Sequence, residues 1–177
     1  MERIAIVGCG GSGKSYLARQ LGRLLGASVT HLDAVYFDDE WNPLPMEKFE
    51  ALQRELVAAP RWVIDGNYNS TLQVRLEAAD TIIFMDLPTR ACLWGIISRQ
   101  LRHGRGQNTQ TGVYNRINWD VLRYVAGYRR KMRPRVQAKI DQYATHAQVI
   151  TLTSRRQARR FLRDLTRQAT RSPGGDS

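Results

Sequence analysis

The chain has 177 residues, enough for one domain with a sizeable core and too few for a second domain of comparable size. Its two cysteines, Cys9 and Cys92, lack metal-ligand spacing and are too sparse for a disulfide scaffold, so we expect both to be reduced and structural. No apolar stretch approaches the roughly 20 residues of a membrane span and no targeting signal is evident, which indicates a soluble, cytoplasmic protein without a membrane partner.

The formal net charge of +11 is unevenly distributed along the chain. Residues 1–89 carry a net charge of −4, whereas residues 90–177 carry +15. A basic half of this kind suits contact with nucleic-acid phosphates or with small anions, and the sign of the charge does not distinguish them. Most of these arginines also fall on predicted helices, where a solvated surface is the ordinary explanation.

The first element is an apolar strand, Ile4–Val7, that leads directly into the segment Gly8–Ser15, of pattern G-x-x-x-x-G-K-S and called the phosphate loop below. Glycines let consecutive backbone N–H groups converge on a phosphate, and the following helix directs its positive dipole end at the same anion. Lys14 suits the β- and γ-phosphates, and the Ser15 hydroxyl suits Mg²⁺. A chance turn is the weaker alternative. The predicted nucleotide-binding residues are Gly8, Cys9, Gly10, Gly11, Ser12, Gly13, Lys14 and Ser15.

The next elements alternate between helices and strands. A helix with Leu17, Leu21, Leu24 and Leu25 on one face ends at Gly26, which suits a helix C′ position. The pattern then predicts a strand over 27–33, a helix opened by Pro45 and closed by Pro60, strands over 61–65 and 81–86, and an apolar helix through Leu93, Ile96 and Ile97.

The second half begins with a polar segment, residues 102–118, whose Arg, Gly, Asn and Thr content is typical of a mobile loop or lid. A floppy surface loop is the alternative. We predict a helix from Trp119 to about residue 145, a fifth strand over 148–152, and a final helix opened by a capping box of Ser154 and Gln157. The whole is one domain over residues 1–170, with the lid at about 99–118 and a disordered tail at 171–177.

Alternating strands and helices predict a parallel sheet with helices on both faces, and ligands in such sheets bind beyond the carboxyl ends of the strands. Three predicted strands end in an aspartate that could hold a magnesium-bound water or accept a hydroxyl proton: Asp33, Asp65 and Asp86. Each could instead cap a turn, and Asp86 most resembles a turn residue. Tyr36, Trp41 and Tyr68 are candidates to stack on a substrate base, whereas Trp62 and Trp94 suit the core.

Several of these segments together resemble the bacterial FlaR-type family, whose members are catalogued as DNA topology modulation proteins or adenylate-kinase-like P-loop proteins. The resemblance extends to about residue 165. It implies a nucleoside-monophosphate-kinase fold with a five-stranded parallel sheet in the order 2-3-1-4-5 and an arginine-bearing lid. The segments that carry it are the phosphate loop, His31-Leu32-Asp33 with Tyr36 and Trp41, Trp62 to Tyr68, Ala79 to Pro88, and Cys92-Leu93-Trp94.

The resemblance also implies roles for single residues. Asp65 would organise magnesium-bound waters, and Asp33 would face the acceptor hydroxyl. Arg75 would meet an acceptor anion. Two departures from the pattern affect the acceptor side: Asn67-Tyr68 replaces the Phe-Pro-Arg of adenylate kinases, and Gly95 stands where relatives often carry arginine. The lid arginines that would close over the transferring phosphoryl group are Arg99, Arg102 and Arg105.

Two functional hypotheses follow. The first is an ATP- and Mg²⁺-dependent kinase acting on a small anionic or hydroxylated acceptor, such as a nucleoside monophosphate. The second is a nucleotide-binding, DNA-associated regulator, which the basic half favours although no nucleic-acid-binding motif accompanies the charge. The guanine-recognition pattern Asn-Lys-x-Asp is absent, which favours ATP over GTP.

Overall fold

The computed structural model describes residues 1–37, 42–103 and 119–171. Its five strands are β1 (Arg3–Gly8), β2 (Ser28–His31), β3 (Trp62–Asp65), β4 (Thr81–Met85) and β5 (Gln148–Leu152). They form one parallel sheet in the order β2-β3-β1-β4-β5, which confirms the predicted fold class and strand order. The strands β3 and β4 are buried throughout, and β1 is buried from its second residue onward, as their almost uninterrupted apolar sequences require.

Helices cover both faces of this sheet because successive side chains of a strand point to opposite sides. In β1, Ile4 and Ile6 belong to one core cluster, whereas Ala5 and Val7 belong to the other. The described helices are α1 (Lys14–Leu25), α2 (Leu32–Tyr36), α3 (Met46–Val57), α4 (Leu72–Ala78), α5 (Thr89–His103), α6 (Trp119–Lys131), α7 (Arg133–Tyr143) and α8 (Arg155–Arg171). The first cluster includes residues of α1, α5, α6 and α8, and the second includes residues of α3, α4 and α7.

Three local expectations are wrong. The second strand ends at His31 rather than at Asp33, which lies in the first turn of α2. The single helix predicted from Trp119 to about residue 145 is two helices, because Pro134 lacks the N–H that a continuing helix needs and instead occupies the first turn of α7. Trp94 is 61% exposed rather than part of the core.

The strand registers bring the carboxyl ends of β1, β3 and β4 to one edge of the sheet. Ile6 lies opposite Asp65, and Gly8 lies opposite Met85. The phosphate loop therefore leaves β1 beside the last residue of β3 and beside the connection that follows β4. Within the described ranges, no helix combines the length and the apolar character that crossing a membrane requires.

Candidate functional site

The phosphate loop ends at the N-terminus of α1. Gly13 is the residue before the helix and has φ = 102°, a left-handed conformation that favours glycine. A Cβ added there would meet no atom within 4 Å and would project into open space. Because the first turn of α1 carries no acidic residue, its free N–H groups and its dipole favour an anion in that space. Lys14 lies beside it, with Nζ donating a hydrogen bond to the Cys9 carbonyl at 3.0 Å.

Ser15 and Asp65 are in direct contact, as the sequence led us to expect for a shared magnesium site. The Ser15 hydroxyl donates to Asp65 Oδ2 at 2.7 Å. The other carboxylate oxygen, Oδ1, is 2.5 Å from His31 Nδ1, because the register of β2 and β3 places these two residues opposite each other. Asp65 is thus buried, only 3% exposed, and held from both sides.

The magnesium expectation fits this donor set. Oxygen ligands suit Mg²⁺, which usually keeps several waters and takes one or two protein ligands together with substrate phosphates. Residues 1–37, 42–103 and 119–171 contain no group of three or more His, Cys, Asp or Glu side chains that could hold a metal by themselves. Ser15 and Asp65 would supply oxygen atoms around a metal bound together with the nucleotide.

Asp33 and Tyr68 form the opposite wall of the same site. The Tyr68 hydroxyl donates to Asp33 Oδ1 at 2.9 Å. Burial raises the pKa of Tyr68, and the negative charge of Asp33 raises it further, so the phenol stays protonated and keeps donating. The ring of Tyr36 packs edge-on against Phe37 and Phe49 and lies 4.8 Å from the ring of Tyr68, centroid to centroid, so Tyr36 supports this wall from behind.

Arg75 lies in a different place from the one that the resemblance to the FlaR-type family implied. It is 0% exposed, and its guanidinium donates to three uncharged oxygens that belong to Gln53, Gly66 and Tyr68. Burial lowers the pKa of Arg75 to about 10, although the negative charge of Asp65 opposes this shift. The side chain therefore lies behind the loop that follows β3 and holds it, without an exposed surface for an acceptor anion.

The arginines expected in the lid are only partly described. Arg99 lies on α5 and faces the site. Partial burial lowers its pKa, and the carboxylate of Asp33, which lines the same cavity, opposes that shift. The side chain of Arg102, the whole of Arg105 and most of the predicted lid, residues 104–118, lie outside the described residues, as do Trp41 and the tail at 172–177.

A cavity of about 870 Å³ joins these groups. The phosphate loop forms one end of it, Asp33 and Tyr68 line another part, and Arg99 reaches it from α5. The expected donor residues other than Cys9, which is buried, therefore share one cavity with the expected acceptor residue Asp33. Arg75 is not among its lining residues.

Sequence reasoning missed three residues that line this cavity. Asn67 donates through Nδ2 to the Tyr124 hydroxyl at 2.8 Å and so connects the loop after β3 to α6. Arg155, at the start of α8, donates to the phosphate loop. The rule that ligands bind beyond the carboxyl ends of parallel strands would have indicated Arg155, because it follows β5. No short-range pattern links Asn67 to Tyr124.

Asp86 forms ion pairs with arginines of α6 and α7, in addition to its place in the turn after β4. It follows β4 and is 6% exposed. Arg133 donates to Asp86 Oδ2 at 2.8 Å, and Arg129 lies 3.9 Å from Oδ1. These ion pairs hold the junction of α6 and α7 to the end of β4.

No family model matches the chain, and no curated protein matches it. Several solved structures are similar to it. A shikimate kinase from Acinetobacter baumannii, in complex with shikimate, is similar at a TM-score of 0.56 and 15% identity, over 99% of this chain and 96% of that one. The chain has the P-loop kinase fold. A sugar kinase from Janibacter sp. HTCC2649 shares this fold at a TM-score of 0.53 and 15% identity, over 97% of this chain and 93% of that one. A gluconokinase from Sinorhizobium meliloti 1021 shares it at a TM-score of 0.51 and 14% identity, over 96% of this chain and 92% of that one.

Identities of 14–15% carry the likeness no further than the P-loop kinase fold. The resemblance to the FlaR-type family stays a prediction, as does the closer relation to adenylate kinases. What the shared fold does explain is the position of the cavity, since the phosphate loop, α1 and the strand ends that line it all belong to the common parallel-sheet core.

Proposed function

We propose that this protein is an ATP-dependent kinase that transfers the γ-phosphoryl group to a small acceptor. One observation carries the proposal: the phosphate loop, with Ser15 bonded to Asp65, opens into the same cavity as Asp33 and Arg99. A nucleotide-binding loop alone would suit many functions. A carboxylate and a cation placed in the same cavity are the additional parts that phosphoryl transfer requires.

The donor half would be formed by the backbone N–H groups of the phosphate loop together with Lys14. Their positive charge would hold the β- and γ-phosphates where negative charge develops during transfer. Bound Mg²⁺ supplies further charge neutralisation to the same phosphates. Ser15 and Asp65 would orient the metal's shell, and the bond from His31 fixes which oxygen Asp65 presents to Ser15.

The acceptor half would be organised around Asp33. Tyr68 holds one carboxylate oxygen of Asp33, Oδ1, by donating to it. The second oxygen could accept the proton of an acceptor hydroxyl, and Arg99 could bind a negative charge on the acceptor or on the transferring group. Both kinds of acceptor predicted from the sequence, nucleoside monophosphates and small hydroxylated molecules, remain within this proposal. The structurally similar proteins include a shikimate kinase, a sugar kinase and a gluconokinase, which adds hydroxy acids and sugars to the acceptors worth testing.

The experiment is an acceptor screen that detects the phosphorylated product together with ADP, on the unmodified protein and on Lys14→Ala. We expect transfer to at least one acceptor and a loss of about 100-fold or more in Lys14→Ala, since a phosphate-binding charge is removed. Lys48→Ala is the matched control because Lys48 is exposed on α3. Equal turnover by Lys14→Ala and Lys48→Ala would show that the assigned donor site is wrong.

The alternative of a DNA-associated regulator is less well supported. Several arginines on α8 are exposed, such as Arg156, Arg160 and Arg163. Exposed arginines are equally compatible with solvent and with any acidic partner, so they do not single out DNA. The kinase proposal accounts in addition for the loop, for the buried Asp65 and for the shared cavity. We therefore place no nucleic acid among the proposed partners.

A further inference from the structure

The guanidinium of Arg155 lies between two elements that are distant from it in sequence. Its Nη2 donates one hydrogen bond to the carbonyl of Gly11 in the phosphate loop and another to the carbonyl of Ala91 in α5, both at 2.9 Å. A single nitrogen of α8 thus bridges the loop and α5. The same side chain lines the cavity, at the end formed by the phosphate loop.

The backbones of the phosphate loop and of α5 lie so close together at this bridge that no Cβ fits between them. A Cβ added at Gly95 of α5 would lie 2.1 Å from the Gly11 carbonyl oxygen and 2.2 Å from Arg155 Nη2. In the other direction, a Cβ added at Gly11 would lie 2.2 Å from the Cys92 carbonyl oxygen. Real Cβ atoms do not approach so closely, so the contact exists only because both positions are glycine.

This contact determines where Arg99 lies. Arg99 is four residues after Gly95, so the two share one face of α5. Any shift of α5 against the phosphate loop would move the Arg99 guanidinium relative to the loop and to Asp33, whose charge it faces. Displacements of about 1 Å in a reacting site cost about 100-fold in rate.

Resting on the proposed kinase function, we propose that Arg155 is a positioning residue, which holds α5 and its Arg99 in register with the phosphate loop. Arginine suits this role because its planar, permanently charged fork directs N–H groups at fixed angles to two carbonyl oxygens. Lysine carries a mobile point charge and fixes no such plane. Arg155 makes its bonds to backbone carbonyls, so it acts through Arg99 and the loop rather than as a catalytic residue.

The test compares Arg155→Gln and Arg155→Lys with Arg156→Gln, a control at the next, exposed residue of α8. We expect kcat to fall by about 100-fold in Arg155→Gln and to change less than twofold in Arg156→Gln. A residue needed only for stability would instead lower the melting temperature and leave kcat of the folded fraction unchanged. Free guanidinium ion at low concentration should restore part of kcat to Arg155→Ala and none to Arg99→Ala.

A double-mutant cycle tests the connection to Arg99. If Arg155 acts through α5, Arg155→Gln combined with Arg99→Lys should lose clearly less activity than the product of the two single losses. Losses that multiply in full would overturn the proposal, as would an Arg155→Gln variant that keeps the kcat of the control.

A further measurement separates this inference from the proposed function, because it needs no acceptor. Trp94 is 61% exposed and precedes Gly95 on α5. Because the chain has four tryptophans, the Trp94 signal is the part of the fluorescence, and of its quenching by acrylamide, that each variant loses when it also carries Trp94→Phe. This signal reports the surroundings of α5. Arg155→Gln should change both, whereas Arg156→Gln should change neither. If the unmodified protein transfers no phosphoryl group while the Trp94 signal changes as expected, the kinase proposal fails and the bridge stands. An unchanged Trp94 signal overturns the bridge whatever the activity.

Discussion

At the scale of single residues, Arg75 is a buried charge whose hydrogen bonds all go to uncharged oxygens. Its three hydrogen-bond acceptors are the Gln53 side chain and the carbonyls of Gly66 and Tyr68. Gln53 is itself buried and donates to Thr71 at 2.7 Å. The network thus fixes the loop after β3, and through Tyr68 it fixes one oxygen of Asp33.

We expect Arg75→Lys to lower the free energy of unfolding by about 1–3 kcal/mol, because an ammonium cannot replace the planar fork and leaves buried acceptors unsatisfied. Urea unfolding measures this change. Arg54→Lys is the control: Arg54 is exposed, pairs with Glu50 within α3, and should change stability by less than about 0.5 kcal/mol.

The same variant distinguishes the two roles considered for Arg75. An arginine that binds the acceptor anion would, when replaced, raise the acceptor KM and leave the free energy of unfolding unchanged. That result would contradict the structural role that its position behind the loop indicates.

At the scale of elements, α5 depends on a glycine that intrinsic helix propensity disfavours. Alanine normally stabilises a helix interior by about 1 kcal/mol relative to glycine. At Gly95 the sign should reverse, because the new Cβ would lie 2.1 Å from the Gly11 carbonyl oxygen. We expect Gly95→Ala to cost about 1–3 kcal/mol in the free energy of unfolding, as overpacked sites do, and to weaken nucleotide binding.

Gly127 in α6 provides the matched comparison. A Cβ there would find its nearest neighbour, the Lys131 side chain, at 3.8 Å, which is an ordinary contact. Gly127→Ala should therefore stabilise the protein by about 0.5–1 kcal/mol. Chemical denaturation of both variants checks the pair, and a Gly95→Ala variant as stable as Gly127→Ala would show that α5 does not press on the phosphate loop.

At the scale of the whole molecule, buried tyrosines make stability sensitive to alkaline pH. Burial raises the pKa of Tyr68, Tyr124 and Tyr128 above the value of 10.0 that an unfolded tyrosine has. Above that pH the unfolded tyrosines bind fewer protons than the folded ones, so this contribution to stability is complete below about pH 10 and falls as the pH rises further. Arg75 and Arg99 oppose this trend, because burial lowers their pKa values in the folded protein, but three tyrosines act in the other direction.

The ultraviolet absorbance of tyrosinate, followed during a pH titration, measures this effect. We expect three of the seven tyrosines, Tyr68, Tyr124 and Tyr128, to ionise late, as the protein unfolds. Tyr128→Phe should remove one of these late ionisations, whereas Tyr16→Phe, at a 54% exposed position, should leave them unchanged. A titration in which all seven ionise together near pH 10, with the fold intact, would contradict the prediction.

Local patterns were sufficient for the alternating strands and helices, and the resemblance to the FlaR-type family supplied the strand order that the sheet has. The roles of the donor residues stay predictions. The phosphate loop, the apolar strands and the Asp that ends β3 are all encoded in short segments, and Ser15 does meet Asp65. The bridge from Arg155 to Gly11 joins residues 144 positions apart, and the Asn67 to Tyr124 bond joins residues 57 apart. Contacts of this kind depend on how the helices pack, which residue spacing does not specify. The resemblance to the FlaR-type family assigned Arg75 to an acceptor anion, and a matching position in a sequence does not reveal that the side chain is buried.

The two cysteines have a practical consequence. Cys9 is 2% exposed and Cys92 is 0% exposed, and neither forms a disulfide. The hydrogen bond with Cys92 and burial both raise the pKa of the Cys9 thiol, which keeps it in its unreactive form. The native protein therefore offers no accessible thiol to a maleimide or a nitroxide reagent. Engineered cysteines on the surfaces of α5 and α8 could be labelled selectively, and the distance between the labels followed as nucleotide is added, without altering the phosphate loop.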